Sequence, residues 1–306
     1  MNILFVSSGN TKEGISPIVH NQGISLQDIG HDISFFTIKE KGIKGYLKHV
    51  FILRNYLKNG SFDIVHAHYS LSAFTASLAG AKPLVVSLMG SDVKASPVLK
   101  YIIKVFKMVF WKKVIVKSED MKVSVKLSNV NVVPNGVDFA KFRPIPRTDA
   151  LQVTGWNPQK KHVLFAANPK RREKNYPLAE KAFNAMDSTI GTELHTLTDI
   201  PNNLMPTYFN AANVVVLTSL WEGSPNVIKE AMACNCKIVA VDVGDIKQVI
   251  GNTDGCFIAD SNVQDVSKKL KKALAMDEKT TGRTDISHLD SALIAKKLDT
   301  IYNTIA

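Results

Sequence analysis

The stretch NVVVLTSLWEGSPNVIKEAMACNCKIVAVDV, residues 213–243, predicts a strand, a helix and a second strand in succession. Both strands, residues 213–219 and 237–243, are largely apolar, as is typical of strands buried on both faces. Between them, residues 226–234 follow a Gly-Ser-Pro turn signal and space their apolar residues as a helix does. Two strands joined through a helix form a βαβ unit, so this stretch predicts a parallel sheet.

The same alternation continues on both sides of this stretch. In the first half, the predicted strands are residues 2–8, 31–38, 62–68, 83–89 and 114–118, and the predicted helices are residues 15–30, 44–58, 70–80 and 96–113. In the second half, the further strands are residues 162–168, 193–199 and 255–260, and the further helices are residues 176–187, 205–212, 245–250 and 263–276. We therefore predict an α/β protein with doubly wound parallel sheets.

The segment at residues 134–161 is rich in proline, glycine and basic residues and interrupts the alternation. A chain of 306 residues exceeds the roughly 250–300 residues at which one core stops growing. We predict four parts: an N-terminal domain at 1–145, a linker at 146–160, a C-terminal domain at 161–287 and a helical segment at 288–306. Two Rossmann-like domains joined in this way imply a cleft between them, which is a favoured place for a ligand.

Composition narrows the class of protein. Hydrophobic residues make up 45% of the chain and charged residues 21%, as in an ordinary globular protein, which excludes a disordered chain. No apolar run approaches the roughly 18 residues that span a bilayer, and the N-terminus lacks the basic region of a signal peptide. We predict a cytoplasmic protein.

The basic charge is concentrated in one half. Residues 1–150 carry 20 Lys and Arg against 10 Asp and Glu, whereas residues 151–306 carry 18 against 17. This asymmetry indicates an anionic partner, and because nucleic-acid motifs are absent, we predict an anionic membrane surface and no nucleic acid. The basic amphipathic helices predicted at 96–113 and 44–58 are its expected footprint. The alternative is that both helices only pack on the sheet, with their lysines in solvent.

Several absences limit the chemistry. The three cysteines, Cys234, Cys236 and Cys256, have no histidine at zinc-finger spacing, so we predict buried reduced thiols. No Asp-x-Asp triplet occurs, which removes the usual divalent-metal anchor of sugar diphosphates, and no GxGxxG fingerprint indicates a dinucleotide. We expect no cofactor and no metal.

Two glutamates flank the start of the helix predicted at 226–234. Glu222 lies just before this helix and Glu230 a little over one turn inside it, and between them a tight turn leads into the helix. The N–H groups of the first turn point out of the helix start, which attracts phosphate. A carboxylate for a diol and N–H donors for a pyrophosphate suit a nucleotide sugar. Alternatively, the glutamates serve only as partners of the helix dipole.

This segment resembles the signature of the retaining group 1 glycosyltransferases, a GT-B family, which reads EGxPxxxxEAMAxxxPVVAxxxGG. The match covers Glu222, Gly223, Pro225 and the run 230–234, and Gly244 corresponds to one of the late glycines. Three other segments also resemble the family in the same order: FDIVHAHY at 62–69, LMGSD at 88–92 and PNGVDFAKF at 134–142. The resemblance covers roughly the whole chain.

The resemblance implies a GT-B fold, with two Rossmann-like doubly wound domains facing each other across a cleft and residues 288–306 crossing back to the first domain. It implies that Glu230 binds the ribose hydroxyls of the donor and that Glu222 contacts hydroxyls of the donor sugar. The turn that would hold the pyrophosphate and the sugar consists of Gly223, Ser224, Pro225, Asn226 and Val227.

In the family, an arginine and a lysine about six residues apart neutralise the diphosphate leaving group. Lys174 stands at the place of the lysine, whereas Asn168 or Pro169 stands at that of the arginine. Arg171, Arg172 or Lys170 of the same loop is the expected replacement, and the sequence does not choose among them.

Two further positions depart from the family pattern. The first loop of the family contains Gly-Gly near the donor phosphates, whereas this chain offers Gly14. The histidine of the HGSD turn, which contacts the donor sugar in the family, is Met89 here. Either the transferred sugar lacks the hydroxyl concerned, or His68 or Asp92 fills the space. Loss of activity is a third possibility that the intact glutamate pair disfavours.

The sequence-based hypothesis is a metal-independent, retaining, hexosyltransferase-type glycosyltransferase that uses a nucleotide-diphosphate sugar. Its acceptor is expected to be a lipid-linked glycan of bacterial surface polysaccharide synthesis, and its location the inner face of the cytoplasmic membrane. By resemblance, the acceptor attacks from the leaving-group face and no protein nucleophile is named. The alternatives are a UDP-sugar epimerase and a non-catalytic protein that binds nucleotide sugars.

Overall fold

The computed structural model describes residues 1–10, 14–40, 42–93, 96–186 and 191–305. The chain folds into two compact units. The first consists of Met1–Gly136 together with Ser291–Ala306, and the second of Val137–Asp290.

The described residues of the first unit form a six-stranded parallel sheet in the order β2-β1-β3-β4-β5-β6. Its strands are β1 (Asn2–Ser8), β2 (Asp32–Ile38), β3 (Ile64–His68), β4 (Leu84–Ser87), β5 (Lys113–Val116) and β6 (Val130–Val132). Its helices are α1 (Pro17–Gln27), α2 (Gly42–Asn59), α3 (Ser70–Ala79), α4 (Gly90–Val93), α5 (Pro97–Val109), α6 (Glu119–Val125) and a C-terminal helix (Ser291–Asn303).

The described residues of the second unit form a five-stranded parallel sheet in the order β11-β10-β9-β7-β8. Its strands are β7 (Lys161–Phe165), β8 (Thr192–Thr196), β9 (Val214–Leu217), β10 (Lys237–Val241) and β11 (Cys256–Ala259). Its helices are α7 (Arg147–Thr154), α8 (Tyr176–Asn184), α9 (Met205–Ala211), α10 (Asn226–Ala233), α11 (Ile246–Ile250), α12 (Val263–Ala275) and α13 (Gly282–Asp285), with 3-10 turns at Arg172–Lys174 and Ser287–Leu289.

The central strands are buried along their whole length. Every residue of β3, β4, β9 and β10 is buried, because crossover helices of a parallel sheet cover both of its faces. The prediction of two Rossmann-like α/β domains with doubly wound parallel sheets is therefore confirmed. Strand and helix ends differ from the predicted ends by a few residues, as frayed ends usually do.

The division of the chain lies between Gly136 and Val137, not in the linker predicted at 146–160. Arg283 explains why residues before 145 belong to the second unit. Its guanidinium donates to the carbonyl oxygens of Phe142 and Phe139, at 2.6 and 2.9 Å. Within the predicted linker, α7 packs against α9, so this segment is a folded part of the second unit.

Several predicted elements end early, and others are missed. The helix predicted at 96–113 ends at Val109, because Trp111 turns inward and its indole donates to Ser77 Oγ at 2.9 Å. The helix predicted at 176–187 ends at Asn184, and its last residue, Asp187, lies outside the described residues. The short elements α6 and β6 escape the sequence analysis because they carry too few residues to show a period.

The C-terminal segment, for which a return to the first domain is expected, belongs to the first unit from Ser291 onward. Tyr302 on the C-terminal helix is fully buried, and its hydroxyl lies 2.6 Å from His66 Nδ1. The other ring nitrogen of His66 lies 2.8 Å from Ser87 Oγ. His66 therefore has a structural role, because it connects β3 and β4 to the C-terminal helix.

Within the described residues, none of the helices combines the length and the apolar character required to cross a membrane.

We predict that Tyr302→Ala destabilises the first unit by about 3–5 kcal/mol, since it leaves a cavity and removes the hydrogen-bond partner of a buried imidazole nitrogen. Tyr302→Phe removes only the hydroxyl and is expected to cost about 1–3 kcal/mol. Urea unfolding followed by circular dichroism measures both values. Equal effects of the two variants would contradict the packing role of this ring.

Candidate functional site

An ion pair joins two loops of the second unit. Lys174 Nζ lies 2.5 Å from Glu222 Oε1, and both side chains are mostly shielded from solvent. Ser219 Oγ donates to the same carboxylate oxygen at 2.8 Å. The lysine and the glutamate singled out from the sequence are therefore in direct contact, although 48 positions separate them along the chain.

Hydrogen bonds to backbone carbonyl groups hold these two loops together. Leu220 N donates to Glu173 O at 2.9 Å, and Thr218 Oγ1 donates to Asn175 O at 2.9 Å. The segment after β9 is thereby fixed to the 3-10 turn Arg172–Lys174 that follows β7. This arrangement orients Lys174 toward Glu222.

The turn at residues 223–225 leads directly into α10. Pro225 stands at the N-cap and provides no side-chain cap, so the first turn of α10 presents its N–H groups and the positive end of its dipole at the turn. Gly244 adopts a positive φ of 64° beside this turn, and a Cβ there would lie 2.7 Å from Gly223 O. A side chain at this position would displace the turn, which explains the glycine.

A buried lysine holds the turn at residues 223–225 through a hydrogen bond. Lys229 on α10 is fully buried, and its ammonium donates to Ser224 Oγ at 2.6 Å. Ser224 Oγ in turn donates to Asp245 Oδ2 at 2.5 Å. Burial lowers the pKa of Lys229, and the nearby carboxylates of Asp245 and Glu230 oppose this shift. Since an ammonium is costly to bury without partners, this network fixes the Ser224 side chain.

Glu230 lies one turn inside α10 and is partly buried. Burial raises the pKa of its carboxyl to about 7, although the charges of Lys141 and Lys229 act in the opposite direction. A carboxyl with this pKa exchanges its proton near neutral pH. In its ionised form, this carboxylate can accept hydrogen bonds from the two hydroxyls of a diol.

The basic residues of the loop after β7 differ in their surroundings. Arg171 is exposed and pairs with Glu173 at 2.7 Å, and Lys170 and Arg172 are also exposed. Among the described residues of this loop, Lys174 is therefore the cation that is shielded from solvent. The choice among the other three as the replacement of the family arginine stays open.

The predicted residues of the first unit lie at the carboxyl ends of its strands, where ligands of such sheets bind. His68 ends β3 and is buried, with its ring stacked 4.3 Å from that of His66. Neither ring nitrogen of His68 has a hydrogen-bond partner. Burial holds its pKa well below the usual range, so the ring is neutral.

Asp92 has a backbone role in this unit. Its carboxylate accepts hydrogen bonds from Met89 N at 2.7 Å and from Ser70 N at 3.2 Å. Burial raises its pKa to about 6. Asp92 therefore fixes the 88–92 turn and the start of α3. The alternatives that the sequence left open for the role of the missing histidine stay open.

The first loop contains two glycines with different surroundings. Gly14 has a positive φ of 80° with open space around it, and the adjoining residues 11–13 lie outside the described residues. At Gly9, a Cβ would lie 2.8 Å from Thr37 Cβ. Gly9 therefore packs tightly against β2, and the close approach of backbone to donor phosphates at Gly14 stays a prediction.

In the second unit, a cation, two carboxylates and a helix N-terminus lie along the loops after β7 and β9. Such a set can bind an anionic phosphate at the helix start and a polyhydroxylated group at the carboxylates.

Two family models match the chain. The model described as "Glycosyl transferases group 1" matches residues 160–276. The model described as "Glycosyltransferase Family 4" matches residues 11–141. The matched ranges include all the site residues of the second unit discussed above. The chain belongs to the group 1 glycosyltransferases.

Two relatives illustrate this membership of the group 1 glycosyltransferases. TuaC of Bacillus subtilis (strain 168), a proposed glycosyltransferase of teichuronic acid biosynthesis, is 25% identical over 69% of this chain and 61% of its own length. A UDP-Gal:alpha-D-GlcNAc-diphosphoundecaprenol alpha-1,3-galactosyltransferase of Escherichia coli is 26% identical over 71% of this chain and 67% of its own. The matched region of TuaC is thus less than two thirds of that relative.

Solved structures share the fold. Sucrose-phosphate synthase from Thermosynechococcus elongatus superposes with a TM-score of 0.82 at 17% identity, covering 99% of this chain and 98% of its own. Anabaena HepE in complex with UDP and glucose superposes with a TM-score of 0.76 at 14% identity, covering 99% and 100%. The fold class is therefore GT-B.

Sequence reasoning missed Lys229 and Asp245. A lysine within the otherwise buried face of NVIKEAMA was the available signal, since a charged residue on that face requires a partner. Asp245 directly follows the late glycine of the signature, but nothing in the sequence pairs it with Ser224. The cysteines are free, with Cys234 and Cys236 buried and Cys256 partly buried.

We predict a pH-dependent stability contribution of Glu230. The unfolded chain releases this proton near pH 4.5, whereas the folded chain keeps it until about pH 7, so the folded state binds more protons between these values. The free energy of unfolding of the wild type should therefore fall relative to that of Glu230→Gln as pH rises from 4.5 to 7, and stay level above 7. Denaturant unfolding at several pH values measures this difference.

The matched control is Glu278→Gln, a change at an exposed glutamate of the same unit. Unfolding of this variant at the same pH values gives the background effect of removing a surface carboxyl from the unit. A pH-independent difference for Glu230→Gln would contradict the raised pKa.

Proposed function

We propose that the protein is a retaining, metal-independent hexosyltransferase that moves a sugar from a nucleotide-diphosphate sugar to a lipid-linked glycan of bacterial surface polysaccharide synthesis. The contact of Lys174 with Glu222, beside the first turn of α10, carries this proposal. It places a cation and a carboxylate at a helix start suited to a diphosphate. The comparisons add that HepE was crystallised with UDP and glucose and that the Escherichia coli relative uses UDP-Gal.

In the proposed mechanism, Glu230 binds the ribose hydroxyls, Glu222 binds hydroxyls of the donor sugar and the 223–227 turn holds the pyrophosphate. The acceptor oxygen attacks the anomeric carbon from the leaving-group face while the bond to the diphosphate oxygen breaks. The departing phosphate accepts the acceptor proton, so no protein nucleophile is required. Retention is supported by the resemblance and by the study of glycosyltransfer with retention in trehalose-6-phosphate synthase, which shares the fold with a TM-score of 0.76.

Lys174 neutralises charge on the departing diphosphate. Electrostatic stabilisation of this kind contributes roughly 3 kcal/mol or more to transition-state binding. Because the Lys174–Glu222 pair is already formed, the lysine is held in place before the donor binds. Protein cations thus do the work that Asp-x-Asp enzymes assign to a metal, which is our reason for proposing metal independence.

We assign His68 to the sugar or acceptor in the first unit. Its two ring nitrogens are buried without protein partners, and a substrate hydroxyl would supply one. Met89 has no comparable hydrogen-bonding capacity. His68 is thus the proposed replacement for the histidine of the family turn.

We predict that one nucleoside diphosphate stabilises the protein. One of UDP, GDP and ADP at millimolar concentration, in EDTA, should raise the thermal midpoint by about 5 °C or more if its Kd is a hundredfold below that concentration. Glu230→Ala should abolish this shift, and Glu278→Ala, at an exposed glutamate of the same unit, should keep it. Differential scanning fluorimetry gives both results.

The opposite results would refute the donor site. If no nucleotide shifts the midpoint, or if the shift survives in Glu230→Ala, the second unit does not bind a donor as proposed. If one nucleotide does shift the midpoint as expected, product analysis with the matching nucleotide sugar separates transfer from isomerisation by an epimerase and from binding without turnover.

We further propose that the first unit binds an anionic membrane surface, on the inner face of the cytoplasmic membrane. On α5, Val98, Tyr101, Met108 and Val109 are each at least 65% exposed. The lysines at 100, 104 and 107 accompany them on the same helix. Exposed apolar side chains beside lysines are typical of helices that lie in a membrane interface.

The helix α2 has the same character. Ile43 and Phe51 are 74% and 73% exposed, and lysines lie at 44, 48 and 58. The diphosphoundecaprenol substrate in the name of the Escherichia coli relative supports a lipid-linked acceptor. A protein that uses such an acceptor benefits from binding the surface in which the acceptor resides.

We predict that Val109→Glu weakens binding to vesicles of phosphatidylglycerol and phosphatidylcholine about tenfold or more, because a carboxylate enters the anionic interface. The control is Val153→Glu on α7 of the second unit, since Val109 and Val153 are 65% and 66% exposed. Sedimentation with vesicles at low and high salt measures the binding. Equal binding of both variants would place the membrane surface elsewhere or exclude it.

A further inference from the structure

A cluster of two histidines and a glutamate lies on the strand pair β7–β8, which is not part of the donor site described above. His162 stands opposite Glu193 in the register of these strands, and His195 follows two positions after Glu193. Side chains two positions apart on a strand share a face, as do side chains directly opposite each other. The three side chains therefore converge on one face of the sheet.

The geometry of this cluster points to a site for one zinc ion, bound by His162 Nδ1, His195 Nε2 and Glu193 Oε2, and we propose such a site. The two ring nitrogens are 3.0 Å apart, and each lies 3.6 Å from Glu193 Oε2. Zinc in a tetrahedral site lies about 2.0–2.2 Å from its N and O ligands, which places neighbouring ligand atoms about 3.4 Å apart. The three atoms thus approximate one face of a zinc tetrahedron.

The second ring nitrogen of His162 orients the first. His162 Nε2 donates its proton to Asn157 O at 2.9 Å, so that Nδ1 carries a lone pair directed at the cluster. A backbone carbonyl in this role is the usual outer partner of a zinc-bound histidine. This bond fixes the tautomer that a metal requires.

Two other contacts hold the remaining ligands. The indole of Trp156 stacks on the His195 ring at 3.7 Å between centroids and 11° between planes. Lys160 Nζ donates to Glu193 Oε1 at 2.7 Å, which leaves Oε2 directed at the histidines. The ring and the carboxylate are thus oriented before a metal binds.

The hydrogen bonds of the cluster define where its protons lie. In the metal-free protein, His195 Nε2 donates to His162 Nδ1. When zinc binds, that proton moves to His195 Nδ1, so both rings remain neutral.

The ligand set also indicates which ion binds and how it enters. Imidazole and carboxylate ligands suit first-row transition ions. Zinc is one of these ions, and because its d electrons impose no geometry, it readily occupies a tetrahedral site. His162 is fully buried, whereas the side chains of His195 and Glu193 are 20% and 32% exposed. This open side admits the ion and leaves a fourth position for water. The ion would connect β8, the outer strand of the sheet, to β7.

We predict that the tag-free, chelator-treated protein binds one zinc ion per chain in isothermal titration calorimetry. Glu193→Gln and His195→Gln should each weaken this binding at least tenfold, as the loss of a ligand requires. His288→Gln, at an exposed histidine of the same unit, should bind like the wild type. Zinc should also raise the thermal midpoint of the wild type but not of the two ligand variants.

The cysteines provide the competing outcome. If zinc binding survives in Glu193→Gln and His195→Gln but disappears in Cys256→Ser, the ion binds to the thiols and the proposal is wrong. Absence of stoichiometric binding by the wild type also overturns it, and the three side chains then form only a hydrogen-bonded cluster. Circular dichroism confirms that each variant is folded, and Glu193→Gln keeps the shape of the native side chain.

Discussion

The parallel pairing of β7 with β9 is the constraint on which the donor site depends. Val163 and Leu164 of β7 lie beside Val214 and Val215 of β9, so both strands end at the same edge of the sheet. The loops that follow are adjacent, and hydrogen bonds from residues 218 and 220 to the backbone carbonyls of residues 175 and 173 hold them together. Lys174 and Glu222, 48 positions apart along the chain, meet because these loops are adjacent.

In the same unit, a network of buried polar groups fixes the shape of the turn at residues 223–225. An ammonium, a hydroxyl and a carboxylate, from Lys229, Ser224 and Asp245, form a chain of short hydrogen bonds beneath the start of α10. A partly satisfied network of this kind would be costly, so its members constrain one another. Gly244 completes the arrangement by leaving room for the backbone of the turn. A rigid turn is the form that an anion site needs, because binding then requires little reordering.

The alternation of strands and helices, and with it the fold class, followed from local sequence patterns. Continuous apolar strands and amphipathic helices predicted both sheets, and the Gly-Ser-Pro turn at 223–225 predicted the helix start. The boundary of the two units did not follow, because the 134–161 segment has the composition of a linker. Its α7 packs on α9, and Arg283, more than a hundred positions later, binds the backbone at Phe139 and Phe142.

The sequence by itself determined the strand and helix alternation and the residues at the start of α10, because both are encoded within a few turns or strands of local pattern. Only the tertiary structure decided that Lys174 faces Glu222, that His66 joins β3 to the C-terminal helix, and that His162, Glu193 and His195 converge. These contacts link residues 33 to 236 positions apart. Strand order and register create them, and a single sequence carries no local signal of either.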